Sequence, residues 1–229
     1  VLGAASVFLG SIDALRQTRL KLLVAYSTVA QLGYLFLLFP LARAAGFDAW
    51  SGALYFLLAH ACAKTAMFLT AGNILHAAGH DRLEQLDGFT HTLPLSAFAF
   101  GLAGISLVGL PPSGGFIGKW LLLTSALRSG QWWWAVVLLL GSLLAAAYLL
   151  RVLRHAFTRV RAARPRHGVP RLMEWTALGL ALGAVTLGFT ASAPVKLLRV
   201  GAPVALENVS RGMAESSRAL LSAATGGRR

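Results

Sequence analysis

Runs of apolar residues, several of them about 20 residues long, recur along the whole chain. A run of that length can cross a bilayer as a helix, and recurrence excludes a cleaved signal peptide. Lipid offers no hydrogen bonds, so the backbone of each run must pair within its own segment, which helices achieve. Only 13% of the 229 residues are charged, against about 25% in a soluble domain. The sequence therefore predicts an all-α, polytopic transmembrane helix bundle.

Seven hydrophobic segments are expected, with the fifth too short to span unbroken: 1–15, 22–41, 52–76, 92–110, 114–127, 132–150 and 172–189. We assign residues 1–192 to the bundle and 193–229 to a C-terminal amphipathic or interfacial helix and tail, which could dock a neighbouring subunit. The chain begins inside an apolar segment without a methionine, so we expect it to be a fragment of a longer chain.

The charge distribution favours a membrane orientation over nucleic-acid binding, although the net charge is +13. Seven arginines crowd the loop 151–171: Arg151, Arg154, Arg159, Arg161, Arg164, Arg166 and Arg171. Basic loops of this kind mark the cytoplasmic face. If every segment crosses, the more acidic loop 77–90 lies outside, as the rule predicts. The basic stretch at 16–21 would then also lie outside, which conflicts with the same rule.

Lys64 lies deep within the segment 52–76, in the stretch "FLLAHACAKTAMFLTAG". A charge at such depth costs at least about 2.5–3.5 kcal/mol, and we expect this side chain not to reach the headgroups. His60 precedes Lys64 by four residues and shares its helical face. Two titratable groups on one buried face indicate a proton relay. A structural ion pair with a carboxylate from elsewhere is the alternative for Lys64, and simple packing is equally compatible with His60.

The stretch "GLPPSGGFIGKWLLL" predicts a discontinuous helix near 109–119. Its helix-breaking residues are Pro111, Pro112, Gly114, Gly115 and Gly118, which remove backbone donors or permit close approach of neighbouring helices. A break inside a membrane requires protein or water partners, and it often marks an ion site in transporters. Desolvation disfavours the charged form of an amine, so Lys119 beside the break is predicted to take up and release protons. An ordinary turn with a snorkelling lysine is the alternative.

Lys21 is a weaker candidate because it lies at the edge of the segment 22–41. Hydropathy alone favours an interfacial position for its side chain. The following polar residues are Tyr26, Ser27, Thr28 and Gln31. They could satisfy one another in a bundle or line a wet path.

Three stretches carry a family resemblance: "RLKLLVAYSTVAQLGYLFL", "HACAKTAMFLTAGNILH" and "GLPPSGGFIGKWLLL". In this order they resemble the antiporter-like subunits of respiratory complex I (its N, M and L subunits), of Mrp-type cation/proton antiporters (their large D-type component) and of related membrane-bound hydrogenases. The resemblance covers nearly the whole chain. It implies the C-terminal half of a longer subunit, namely the second of two inverted repeats, each with a discontinuous helix.

The resemblance also implies roles for individual residues. Lys119 would be the lysine of the second broken helix, Lys64 and His60 would belong to a relay along the membrane mid-plane, and Lys21 would link half-channels from a buried polar axis. Two positions depart from the pattern: Arg19 replaces a residue that is usually acidic, and Phe56 replaces a second histidine found in some relatives.

The resemblance implies translocation of protons, or of protons together with sodium ions, by a subunit of a multi-subunit complex in the bacterial inner membrane. Its partners would be other membrane subunits and lipid. A transport-inactive scaffold is the alternative, and the first-repeat sequence would discriminate between them. A membrane enzyme is disfavoured because no catalytic or cofactor-binding motif is visible. No metal is expected either, since His76, His80 and His91 do not converge at ligand spacing.

Overall fold

The computed structural model describes residues 1–86, 88–158, 167–191 and 212, and these ranges are helical with short connections. The predicted C-terminal helix and tail therefore lie outside the described residues, except for residue 212. The helices in the described ranges are α1 (Leu2–Arg16), α2 (Leu20–Leu35), α3 (Leu38–Ala78), α4 (Phe89–Thr92), α5 (Pro94–Val108), α6 (Gly114–Arg128), α7 (Trp132–Phe157) and α8 (Arg171–Phe189), with a 3₁₀ turn at Leu83–Gln85. The predicted all-α bundle is confirmed.

Four stretches are long and apolar enough to cross a membrane: Leu20–Ala42, Gly46–Ala78, Trp132–Phe157 and Arg171–Phe189. The first two are separated inside α3 at Gly46, whose backbone is non-helical (φ 52°, ψ −124°). A positive φ of this kind favours glycine, which carries no Cβ. Each of the seven predicted segments corresponds to one observed helix or span, with ends displaced by a few residues, because hydropathy fixes where helices run but not where they cap.

Helices α5 and α6 together run from one end of the bundle to the other, so the condition that every segment crosses separately is not met. Each of the two has only 15 residues, about 22 Å of rise, which is less than the hydrocarbon thickness. The segment preceding α5 contacts the end of α7 through a 3.0 Å hydrogen bond from the amide of Gly88 to the carbonyl of His155. The far end of α6 reaches the start of the span Gly46–Ala78, where Arg128 pairs with Asp48 at 3.2 Å.

The connection between α3 and α5 lies at the same end of the bundle as the C-terminal end of α7. Arg19, which precedes α2, pairs with Asp81 in that connection at 3.0 Å. The hydroxyl of Thr90 donates to the carbonyl of Ala156, near the end of α7, at 2.7 Å. The expected placement of the loop 77–90 opposite the arginine-rich loop is therefore wrong, because it assumed that α5 and α6 each cross the membrane separately.

This arrangement removes the charge conflict that the sequence raised. The described arginines near this end, which we call the basic end, are Arg16, Arg19, Arg82, Arg151, Arg154 and Arg171. The opposite end carries the Arg128–Asp48 pair. A single basic end satisfies the positive-inside rule without placing the stretch 16–21 outside. The cytoplasmic location of the loop 151–171 stays a prediction.

Helix α3 lies at the centre of the bundle and packs against α2, α5, α6 and α8. Its inward face carries small residues, and Ala59, Ala63 and Ala66 are fully buried. Small side chains let neighbouring helices approach closely inside a membrane. Leu57 and Phe68 on the other face are exposed, as a lipid-facing surface requires. The central position of α3 surrounds its polar residues with protein.

The shared basic end can be tested by cysteine labelling in oriented vesicles. In a chain with Cys62 replaced by serine, Glu84→Cys and His167→Cys should react with a membrane-impermeant maleimide from the same side, because both positions are exposed at the basic end. Arg128→Cys should react from the other side, and its loss removes only a surface ion pair worth about 0–1 kcal/mol. Labelling of positions 84 and 167 from opposite sides would contradict the observed topology.

Candidate functional site

The chain between α5 and α6 forms a true break inside the bundle. Helix α5 ends at Val108, and Gly109 closes it in the left-handed conformation (φ 84°). The exposed residues Pro111 and Pro112 follow, with a cis peptide bond between them. Helix α6 begins at Gly114. The predicted discontinuous helix is therefore observed, and its position agrees with the sequence.

Serine hydroxyls satisfy the amides that the break leaves at the start of α6. The Ser113 hydroxyl accepts from the amide of Phe116 at 3.2 Å and donates to the carbonyl of Leu110 at 2.7 Å. The amide of Gly115 donates to the Ser106 hydroxyl of α5 at 3.3 Å. Serine is a preferred helix N-cap because its oxygen accepts these orphan amide protons. Neutral hydroxyl groups therefore accept the amide protons at the N-terminus of α6, which is the positive end of its dipole.

Lys119 satisfies the other side of the break. Its ammonium donates to the carbonyls of Leu107 and Val108 at 2.9 and 3.0 Å, and to the Ser142 hydroxyl at 3.1 Å. The last carbonyls of a helix have no partner within it and carry the negative end of its dipole. The residue is 7% exposed, and its amine lies 4.7 Å from the centre of the Tyr34 ring. This arrangement differs from a snorkelling lysine, whose amine would reach the headgroups.

Two opposing effects act on the charge of Lys119. Burial in a low-dielectric interior disfavours an ionised amine. Carbonyl oxygens at a helix C-terminus favour it, through hydrogen bonds and the helix dipole. Neither Lys119 nor Lys64 pairs with a carboxylate within the described ranges, where the ion pairs involve arginines. The charge is therefore compensated by dipoles alone.

Lys64 is the second buried amine, and it faces α2. Its amine donates to the carbonyl of Val24 at 3.0 Å and to the hydroxyl of Ser27. The residue is 5% exposed. The structure therefore places Lys64 where the hydropathy analysis expected it, away from the headgroups and surrounded by helices.

His60 lies one helical turn before Lys64 and is 7% exposed. Its ring stacks on Phe56 with centroids 5.7 Å apart. Neither ring nitrogen has a hydrogen-bond partner among the described residues. The amine of Lys119 lies 5.8 Å from the centre of the same Phe56 ring. The three predicted groups therefore lie in one region, although His60 bonds to neither lysine directly.

Lys21 is not brought together with the other two lysines. It lies half-buried in the first turn of α2, at the basic end. This is the interfacial position that hydropathy favoured, not the buried polar axis that the resemblance implied. Its role as a linking lysine stays a prediction.

Three polar residues near the lysines were not singled out from the sequence, namely Tyr34, Ser142 and Tyr148, whereas Ser27 and Gln31 were named as possible lining of a wet path. The amide of Gln31 donates to the phenol of Tyr148 at 3.1 Å, and Tyr34 and Ser142 contact Lys119. One signal was available, because Ser27, Gln31 and Tyr34 recur at helical spacing on one face of α2. Tyr148 stands in an otherwise apolar run, and nothing local in the sequence indicates its partner.

The predicted glycines allow the close helix contacts at the break. A Cβ on Gly115 would fall 1.8 Å from the carbonyl oxygen of Ser106, and one on Gly118 would fall 2.6 Å from the Cα of Phe56. A Cβ on Gly114 would also crowd α3 and α8. Any larger residue would separate α6 from the end of α5 and from α3, and so move Lys119 away from the carbonyls that it caps.

These features define a class: a polytopic membrane subunit of the antiporter-like type, with a broken helix and buried lysines. Residues 1–145 match the family described as "NADH:quinone oxidoreductase/Mrp antiporter, TM". The chain belongs to this family and is a multi-pass integral membrane protein. It is 36% identical over 201 residues to NADH-quinone oxidoreductase subunit N of Desulforudis audaxviator, a match that covers 82% of this chain and 40% of the relative.

Solved structures show the same fold. A chain of the Mrp complex from Dietzia sp. DQ12-45-1b is similar with a TM-score of 0.78 and 25% identity, over 85% of this chain and 44% of that chain. A chain of respiratory complex I from Thermus thermophilus is similar with a TM-score of 0.69 and 30% identity, over 85% of this chain and 43% of that one. The present chain therefore spans less than half the length of these relatives.

A single added methyl group at the break should destabilise the fold. Gly115→Ala forces a Cβ against the Ser106 carbonyl, and such overpacking typically costs about 1–3 kcal/mol. Gly101→Ala in α5 is the matched control, because a Cβ there meets nothing within 4 Å. Thermal unfolding of the detergent-solubilised protein measures both variants. Equal melting temperatures for the two would contradict the close packing at the break.

Proposed function

We propose that the chain moves protons, alone or in exchange for sodium ions, across a bacterial inner membrane as a subunit of a multi-subunit complex. Lys64 and Lys119 are the proton carriers. The observation that carries the proposal is the ammonium of Lys119, buried at the break and bonded to the carbonyls of Leu107 and Val108 without a carboxylate partner in the described ranges. The related proteins are named as subunits of quinone oxidoreductases, and similar chains occur in an Mrp complex.

A carrier must hold its proton well enough to collect it and loosely enough to release it. The carbonyls at the end of α5 supply the holding interaction, and burial supplies the opposing one. A carboxylate partner would hold the proton on the lysine more strongly, because breaking a buried ion pair costs about 3–5 kcal/mol. Release of the proton from Lys119 or Lys64 does not carry that cost, because only dipoles and hydroxyls compensate the charge of these amines.

Charges on neighbouring groups can move the proton. Two unit charges about 10 Å apart repel by about 1.7 kcal/mol at an effective dielectric constant of about 20. Moving one charge against 100 mV requires about 2.3 kcal/mol. The two energies are similar, so protonation of one buried group provides much of the driving force for release from the next. His60 lies one helical turn before Lys64, where its own charge would contribute.

The remaining parts of the mechanism belong to the whole complex. Redox chemistry in a partner subunit, or a cation gradient, would supply energy, and lipid and other membrane subunits would cover the exposed apolar faces. The basic end would face the cytoplasm, with the loop 151–171 as its most basic element.

Substitution of Lys119 tests its role as a carrier. Lys119→Arg keeps a permanent cation with several donors, because arginine does not deprotonate in proteins. It should preserve assembly but lower proton flux by about 100-fold or more, as expected when a positioned proton-transfer group is lost. The measurement is proton uptake into vesicles that contain the reconstituted complex. Lys64→Ala should show the same loss of flux.

The controls separate transport from folding. Arg128→Gln removes an exposed cation from α6 and should leave proton flux unchanged. Lys119→Met removes the cap from the α5 carbonyls and should also lower thermal stability, since each unpaired buried group costs about 1–3 kcal/mol. Normal flux in Lys119→Arg would refute the carrier role and favour a purely electrostatic or scaffolding role.

A further inference from the structure

The structure contains a second set of buried polar groups between the two lysines. We propose that a hydroxyl bridge, formed by Ser27, Tyr148, Tyr34 and Ser142 and held by Gln31, conducts protons between Lys64 and Lys119. This inference deepens the proposed function and rests on it. Its side chains come from α2 and α7, whereas His60, the expected relay group, lies on α3.

One stripe of α2 supplies three members of this bridge region. Ser27, Gln31 and Tyr34 follow the spacing i, i+4, i+7, which places them on one helical face. All three are almost fully buried, so this face of a membrane helix is polar where lipid would require it to be apolar. The stripe rises by about 10.5 Å. Eight residues of α2, from 27 to 34, therefore provide a polar track through the apolar interior.

The Lys64 end of the bridge is bonded. The amine of Lys64 donates to the Ser27 hydroxyl, and that hydroxyl donates to the carbonyl of Val24 at 2.9 Å. One turn along α2, the amide of Gln31 donates to the phenol oxygen of Tyr148 at 3.1 Å. The Tyr148 phenol is the next group of the proposed bridge, and its own proton can point towards Tyr34, since a phenol donates one proton and accepts others.

The Lys119 end is built in the same way. The amine of Lys119 donates to the Ser142 hydroxyl at 3.1 Å and lies 4.7 Å from the centre of the Tyr34 ring. The Tyr34 phenol reaches α7 next to Ser142 because residue 141 is glycine, and a Cβ there would overlap the Tyr34 oxygen. Each lysine is thus bonded to a serine, and a tyrosine phenol is the next group of the bridge at each end.

The gap between the two phenols is the remaining step. Among the described residues, Tyr148 bonds to Gln31 and not directly to Tyr34. Beside them, the side-chain oxygen of Gln31 is buried without a hydrogen-bond partner among the described residues. An unpaired buried acceptor costs about 1–3 kcal/mol, and buried waters occupy such places when they find two to four partners. A water held by Gln31 and the two phenols completes the bridge.

The transfer balances as a relay of protons. For transfer, the Ser27 hydroxyl turns from the Val24 carbonyl towards Tyr148. The ammonium of Lys64 then gives one proton to Ser27, whose own proton passes to Tyr148. Tyr148, the water, Tyr34 and Ser142 each accept one proton and release another. The neutral amine of Lys119 accepts the last one. Every O–H bond that breaks is replaced, so the net change is one proton moved from Lys64 to Lys119.

The imidazole of His60 is a less direct route in this structure. Its two ring nitrogens have no partners in the described ranges, whereas the serine hydroxyls bond to both lysines. His60 can act on the lysines through its charge without carrying the transferred proton. The bridge and the imidazole therefore make different predictions for substitution.

Removal of single phenol oxygens tests the bridge. Tyr148→Phe and Tyr34→Phe keep the rings and so preserve packing, including the contact of the Tyr34 ring with Lys119. We expect proton flux in vesicles containing the whole complex to fall by about 10- to 100-fold, the lower part of the range for positioned proton transfer. Tyr26→Phe is the matched control, because that tyrosine lies on the same helix with its side chain exposed, and it should leave flux unchanged.

A second measurement separates proton transfer from structural support. Fluorinated tyrosines at position 148 keep the shape and the hydrogen bonds of the phenol but make it more acidic. If the phenol proton moves during transport, the flux and its dependence on pH should change progressively with the number of fluorine atoms. A phenol that only supports packing would give the same pH profile throughout the series.

Lysine variants in the same preparations distinguish the possible failures. Normal flux in Lys119→Arg would refute the proposed function itself. Loss of flux in Lys119→Arg with full flux in Tyr148→Phe would refute only the bridge. Loss in His60→Phe with full flux in both tyrosine variants would place the route at the imidazole and also overturn the bridge. Loss in the tyrosine variants, with a graded fluorotyrosine response, supports it.

Discussion

The need to satisfy the last carbonyls of α5 inside the membrane governs this structure. A helix that stops at Val108 leaves acceptors that lipid cannot satisfy. Hydroxyls close the amide side of the break, but a lysine closes the carbonyl side. The two sides are therefore unequal, and the break favours a cation. Because the cap is titratable, the local stability of the break depends on whether Lys119 holds its proton.

Close packing around the break supports this arrangement. Glycines at the start of α6 let this helix pack against Ser106 of α5 and Phe56 of α3, and the small residues of α3 let the neighbouring helices approach closely. The amines of Lys64 and Lys119 are then surrounded by backbone carbonyls, hydroxyls and aromatic rings. Such groups stabilise a positive charge in part and leave it responsive to other charges nearby. The packing thus determines an electrostatic property, not only the free energy of unfolding.

The sequence predicted what depends on local composition. Hydropathy located the helices, the proline and glycine pattern located the break, and depth in the segment singled out Lys64. The number of crossings stayed open, since hydropathy measures lengths and does not show that α5 and α6 share one crossing. Tyr148 was missed because its partner Gln31 lies 117 positions away in the chain, and pairing at that distance requires the folded bundle.

The charge of Lys119 is only partly compensated, and this property connects the break to the proposed transport. The end of a helix dipole is equivalent to roughly half an elementary charge, so the α5 carbonyls balance the ammonium of Lys119 only in part. A carboxylate would balance it fully and hold the proton in place. The deficit is made up by the Ser142 hydroxyl, which accepts a hydrogen bond from the amine, and by the face of the Tyr34 ring, whereas a protonated His60 would repel the ammonium. A lysine compensated in this way responds to its neighbours, as a group that passes protons along a membrane must.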